Sequence, residues 1–290
     1  RGGPSNSGYD RRPAELALDN YVHEHGYPVP WGRYGAAPWS LEPPEVDDLM
    51  GRIRERGTPL AQFLGVKPMY GIKTGLNEAF LIDDATRMDL LRADPGCAEV
   101  LKPYLRGQDI GRWLPDWQGL WMIVLRSSSD RTWPWSIAGD AAEAVFAETY
   151  PSLFRRLKPF QDRLVQRQDK GRFWWELRPC DYYGLFDGPK IVYQEIQFHP
   201  QHAFADQPLY ANNKVFLLPT ADLYLLAVLN SPLMWWHNWR YLPHMKDEAL
   251  NPAGFRMEGL PIADPSPALR AEVEALVAEA LELTATGRAA

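Results

Sequence analysis

The strand-forming runs of this chain follow one another instead of alternating with helices. Residues 190–198, 202–205 and 214–218 are β-branched and aromatic runs with no helical stretch between them. Residues 119–125 (GLWMIVL) form a continuous apolar run of the central-strand kind. Helical periodicity is gathered elsewhere, chiefly in 139–168 and 267–284. Strands and helices mixed without βαβ alternation predict an α+β fold. The expectation is a twisted, mostly antiparallel sheet with helices on one side.

Residues 1–44 are rich in Gly and Pro and lack periodicity, so they read as an extended linker. A short helix at 45–56 follows, with Val46, Leu49, Met50 and Ile53 at helical spacing and Gly57 as its stop. Short helices are expected at 86–92 and 97–104, across the Asp94-Pro95-Gly96 turn. Thr220 is placed to cap a helix at 221–230 that is apolar almost all round, hence buried. Residues 231–261 are rich in Trp, Pro and Met and are expected to be irregular. The clearest amphipathic helix is 267–284, where Leu269, Val273, Leu276, Val277, Ala280 and Leu281 form one stripe. It is expected to pack as a separate arm. The division is a linker at 1–44, a globular domain at 45–262 and a helical arm at 263–290.

Residues 70–82, YGIKTGLNEAFLI, hold the most distinctive turn. Gly71 and Gly75 permit positive φ. Lys73, Thr74 and Asn77 would sit at the tip, and 79–82 would return as a buried strand. Such a strand–turn–strand can offer backbone N–H groups and a lysine to a phosphate. An ordinary Gly-containing hairpin has the same signature.

Net charge −6 disfavours nonspecific affinity for nucleic acid, which comes from neutralising phosphates. The distribution is uneven. Residues 154–178 carry eight Lys/Arg against Asp162, Asp169 and Glu176, a net +5. Residues 258–290 carry six acids against Arg270 and Arg288, a net −4. One basic face would suit DNA, and a solvated helix would suit the same pattern. Cys97 and Cys180 make neither a disulfide framework nor a zinc set, and read as thiols of a reducing cytoplasm. No apolar run is long enough to span a bilayer, so no membrane partner is expected. The 12 tryptophans are read mainly as core, with an exposed sugar- or protein-binding surface as the rival.

Catalytic patterns are wanting. The Gly-rich strand–turn–helix that binds S-adenosylmethionine is absent. Neither Leu250-Asn251-Pro252-Ala253 nor Cys180-Asp181-Tyr182-Tyr183 fits the Asn/Asp-Pro-Pro-aromatic motif of adenine-N6 methyl transfer. Asp187 with Glu195-Ile196-Gln197 is the nearest approach to a magnesium nuclease, and Gln197 stands where lysine is wanted. Glu195 reads instead as a strand carboxylate. His199, His202, His237 and His244 lack the spacing of a metal set and read as loop histidines. No nucleophile elbow is present.

Five further blocks occur in order: KPYLRGQDIGRW (102–113), RLVQRQDKGRFWWELRP (163–179), GPKIVYQEI (188–196), YANNKVFLL (210–218) and ADLYLLAVLNSPL (221–233). With the 70–82 turn they resemble the TaqI-like C-terminal specificity domain of type IIG-like adenine-specific DNA methyltransferases, over residues 40–285. The resemblance implies sequence-specific binding of double-stranded DNA in partnership with an upstream methyltransferase domain. It implies a cytoplasmic restriction–modification enzyme as the parent, an adenine-N6 methyltransferase with or without endonuclease activity. S-adenosylmethionine would belong to that parent, and this chain alone is expected to be non-catalytic and without cofactor. On this reading Lys73, Thr74, Asn77, Arg167, Lys170, Arg172 and Arg178 would serve phosphates. Arg106 and Gln108 would contact DNA, unless Arg106 and Asp109 only pair across a turn. Gln194 and Gln197, with His199 and Gln201 beside them, are base-edge readers in type. Arg240, His244 and Lys246 lie in an expected specificity loop at 234–251. The rivals are an unrecognised nuclease or hydrolase and a Trp-rich interaction module.

Overall fold

The structure, a computed structural model, describes residues 12–35 and 42–289. The chain divides into two compact units, Arg1–Glu55 and Arg56–Ala290. In the first, α1 (Arg12–His25) and α2 (Pro44–Arg56) are helices. The helix at 45–56 is therefore found. Part of the expected linker is helical instead of extended, and its residues 1–11 and 36–41 lie outside the described residues.

The second unit runs β1 (Thr58–Pro59), α3 (Leu60–Leu64), β2 (Met69–Tyr70), α4 (Asn77–Phe80), β3 (Leu81–Ile82), α5 (Asp84–Ala93), β4 (Leu101–Leu105) and β5 (Trp121–Ile123). There follow α6 (Ala142–Thr149), α7 (Pro151–Leu157), α8 (Gln161–Val165), β6 (Lys190–Gln194), β7 (His202–Ala205), β8 (Tyr210–Ala211) and β9 (Val215–Leu218). It ends with α9 (Leu223–Leu229), α10 (Pro232–Tyr241), α11 (Gly254–Met257), β10 (Pro261–Ile262) and α12 (Pro267–Ala289). One sheet has the order β2-β9-β6-β7 and is antiparallel throughout. A second has the order β3-β5-β4-β8, antiparallel except for the β4–β8 pair, and β1 pairs with β10 in a small two-stranded sheet. The fold is α+β, as the pattern predicts.

Successive residues of β6 and β9 face opposite sides of their sheet, and both sides are dry. Val192, Val215 and Leu217 join a core with Trp135, Phe146 and Trp175. Ile191, Tyr193, Phe216 and Leu218 join another with Leu225, Met257 and Val277. Helices therefore cover both faces, not one. The second core absorbs α12: Val277 is buried, and Val273 and Leu281 pack against it. Arg270 of α12 pairs with Asp222 at 3.0 Å. Asp222, not Thr220, caps α9 by accepting from the Leu225 N–H. The C-terminal helix is thus part of the globular core, because its stripe completes the apolar cover of β6 and β9.

Three further expectations change. The 70–82 segment is not a hairpin, since β2 and β3 enter different sheets and 77–80 is a helical turn. Residues 97–104 hold a 3-10 turn and then β4; a short apolar run does not distinguish helix from strand by period. Residues 232–241 form α10, begun by Ser231 accepting from the Met234 N–H and by Pro232 at the first helical position.

Candidate nucleic-acid interface

The strand registers bring several chain-distant turns to one end of the sheets. Tyr70 pairs with Phe216, Gln194 with Val215, and Tyr193 with His202. The ends of β2 and β6 therefore lie beside the starts of β9 and β7. In the other sheet Leu105 pairs in parallel with Ala211, so β4 and β8 end there too. The 71–76 loop, the turn after β4, the 195–201 turn and the Asn212-Asn213-Lys214 turn share this edge. Residues 244–250 are tied to it by paired backbone bonds between Gln197 and Leu250, 2.9 and 2.8 Å.

The Lys73 loop is held by close approach and by one buried arginine. A Cβ on Gly71 would lie 2.0 Å from the Asn212 carbonyl oxygen, so only glycine fits. Gly75 has φ +69°, which favours glycine. The Arg167 guanidinium is buried and donates to the carbonyls of Thr74, Trp174 and Glu176, the last two at 2.8 Å. It lies 4.7 Å from the centre of the Phe80 ring. Burial pushes its pKa down to about 10. Arg167 therefore holds the loop from inside and is withdrawn from phosphates, contrary to expectation. Thr74 is buried as well and donates to Asn77 Oδ1 at 2.6 Å. Lys73 is exposed and, among the described residues, has no ion-pair or hydrogen-bond partner. It lines a cavity of about 150 Å³ with Tyr70, Arg178, Cys180 and Tyr182. It also lines a shallower one of about 450 Å³ with Asn77, Asp169 and Asn213. Asn77 is exposed, and Arg178 is half-buried and paired with Asp169 at 3.3 Å.

Across the edge, Arg106 and buried Asp109 form a double hydrogen bond, which raises the arginine pKa further. The Asp109 carboxylate also accepts from the Arg106 backbone N–H at 2.9 Å, so this pair closes the turn and leaves Gln108 exposed at its tip. Gln194 and Gln201 are half-buried and joined by a 2.9 Å amide bond. Gln197 is buried and ties to the Gln201 carbonyl at 3.4 Å, so it is not an exposed reader. Glu195 pairs with Lys214 at 2.6 Å. His244 is exposed; the Trp239 carbonyl and the Glu248 carboxylate raise its pKa. Lys246 is exposed, next to Asp247 and Glu248, both at positive φ (58° and 62°).

The net +5 stretch is not a free basic face. Arg163 pairs with Glu78, Lys158 with Glu143, and Arg156 donates to the Glu78 carbonyl. Lys170 donates to the Val165 carbonyl, and Arg172 to the Ser136 carbonyl at 3.0 Å. Arg240 lies over Trp236 of its own helix at 4.3 Å. The edge also includes Asn212, Asn213 and Lys214, which were not singled out; a polar Asn-Asn-Lys between two apolar runs was the available turn signal. In the first core Trp133 stacks on Trp135, and Trp175 meets Trp135 edge-on. Among the described residues no three His, Cys, Asp or Glu gather as metal ligands, and no helix is long and apolar enough to cross a membrane.

The sequence family described as the TaqI-like C-terminal specificity domain matches residues 102–262. Among solved structures the chain is similar to the type IIL restriction-modification enzyme MmeI in complex with DNA, at 15% identity and TM-score 0.53. That likeness covers 76% of this chain and 28% of the other. A weaker likeness, 10% identity and TM-score 0.43, is to the type IIG restriction endonuclease BpuSI, over 79% of this chain and 28% of that one. The chain thus spans little more than a quarter of each, and at such identities the MmeI likeness speaks for the fold alone. No curated protein sequence matches.

Proposed function

We propose that this chain, which belongs to the TaqI-like C-terminal specificity domain family, recognises a sequence in double-stranded DNA through the strand-end edge. The observation that carries this reading is the convergence of five polar turns at one end of two sheets, with exposed, unpaired Lys73 among them. Strand ends packed in a dry core make a rigid frame, and the turns they carry hold amides suited to base edges and a cation suited to phosphate. Lys73 and Asn77 are the phosphate contacts of this proposal, and Arg178 adds charge beside the Lys73 cavity. Gln108, Asn212, Asn213 and Lys246 border the groove side.

The finer reading is that the chain serves an adenine-N6 methyltransferase of the restriction–modification kind. The methyltransferase domain, with its S-adenosylmethionine, would grip the opposite side of the duplex. The compensated charges of residues 154–178 favour this division, since they leave few cations for phosphates on this side. The test is duplex binding by fluorescence anisotropy at several salt concentrations. Affinity should fall steeply with salt and differ between sequences. Salt-independent binding, or none to any duplex at low salt, would remove the reading.

A further inference from the structure

We propose, resting on the DNA-recognition reading above, that Gln201 is a base-reading side chain with Gln194 as its positioning residue. Its amide nitrogen would donate to an acceptor on a purine edge in the major groove. The argument starts from the backbone. Gln201 lies between two pinned points. On one side Gln197 is buried and bonded through both backbone groups to Leu250. On the other, His202 is buried in β7, where its N–H donates to Asn230 Oδ1 at 3.0 Å and its carbonyl accepts from Asn230 Nδ2 at 2.8 Å. Within that frame the Gln201 carbonyl accepts from Gln197 Nε2, and Gln201 Oε1 accepts from Gln194 Nε2 at 2.9 Å.

A free glutamine offers a donor and an acceptor and suits the adenine edge. Here the side-chain oxygen is engaged by Gln194, while Gln201 Nε2 has no partner among the described residues. Its amide nitrogen is left as the free donor. Purines present N7 as an acceptor for it in the major groove. Fixing the amide beforehand lowers the ordering cost that an exposed glutamine meets on binding. Glu195 is already paired with Lys214, so the nearest carboxylate of this turn does not compete for the amide.

The test begins with selection of duplexes from a random-sequence pool by the wild-type chain at low salt. Each purine of the enriched duplex is then replaced, one at a time, by its 7-deaza analogue, which lacks the N7 acceptor. One replacement should weaken wild-type binding about tenfold and Gln201→Ala binding by no more than about twofold. Gln201→Glu, nearly isosteric, should lose the preference for that purine while keeping the wild-type melting temperature. Gln194→Ala should blunt the same position and no other. If no 7-deaza replacement weakens wild-type binding, or if both Gln201 variants keep the full analogue effect at every purine, Gln201 is not a reader, while the DNA reading stands. If Gln194→Ala weakens all positions equally, its positioning role is refuted. If the wild-type chain enriches no sequence, the DNA reading fails and this inference with it.

Discussion

Replacing Arg167 by Met tests whether one buried guanidinium holds the Lys73 loop in place. Methionine fills comparable space but donates nothing. The carbonyls of Thr74 and Trp174 would lose their donor inside the protein, while that of Glu176 keeps the Gly171 N–H at 3.2 Å. A buried acceptor without a partner costs about 1–3 kcal/mol. Some of this returns, because the guanidinium is itself held in an unfavourable medium that lowers its pKa to about 10. A net loss of about 2–4 kcal/mol follows, which for a domain of this size lowers the melting temperature by roughly 10 °C. Arg178→Ala is the contrast: it breaks a partly exposed pair with Asp169 and should cost less than about 1 kcal/mol. Calorimetry gives the melting temperatures, and amide hydrogen exchange at residues 73–77 shows whether the loop loosens first. A melting temperature within about 2 °C of wild type, with unchanged protection at 73–77, would refute the reasoning.

Lys73→Ala should weaken DNA binding alike for all sequences and reduce the slope of log K against log salt by about one; an unchanged slope would assign Lys73 to another task. Val277→Asp puts a carboxylate into the second core and should cost about 3 kcal/mol or more, read from the urea midpoint; equal midpoints would restore the picture of a separate arm. Burial raises the Tyr104 and Tyr210 pKa values from 10 to about 12. Unfolded tyrosines ionise first, so their stabilisation is full below pH 10 and is lost as pH rises toward 12. Ultraviolet titration of the wild type against Tyr104→Phe and Tyr210→Phe should show no missing phenolate signal at pH 10; a deficit at that pH in either variant would contradict this. Burial lowers His202 from 6.5 to about 3. Here the unfolded chain takes the proton first, so stability is present above pH 6.5 and lost as pH falls toward 3. His202→Phe should flatten that acid limb of the melting curve, and an unchanged limb would count against it.

The sequence by itself determined element types wherever local chemistry was one-sided. The expected strands at 202–205 and 214–218 became β7 and β9 at nearly those bounds, the one at 190–198 became β6 but stops at Gln194, and the stripe at 267–284 became α12. It also held the family resemblance, since the ordered blocks are local strings. It misread local strings whose fate is settled from outside. Residues 79–82 read as one return strand, but Asn77–Phe80 form a helical turn, and β5 captures only Leu81 and Ile82. Tertiary structure alone decided the site. Arg163 and Lys158 count toward the basic stretch of residues 154–178, but folding brings them against Glu78 and Glu143, 85 and 15 residues away. Arg167 turned inward because carbonyls of two loops needed one donor that spans them. Gln194 and Gln201 acquired a donor–acceptor order only when the turn between β6 and β7 closed. Charge and amide content are properties of composition. Whether a charge stays free, and which way an amide points, depends on partners that strand register supplies from distant parts of the chain.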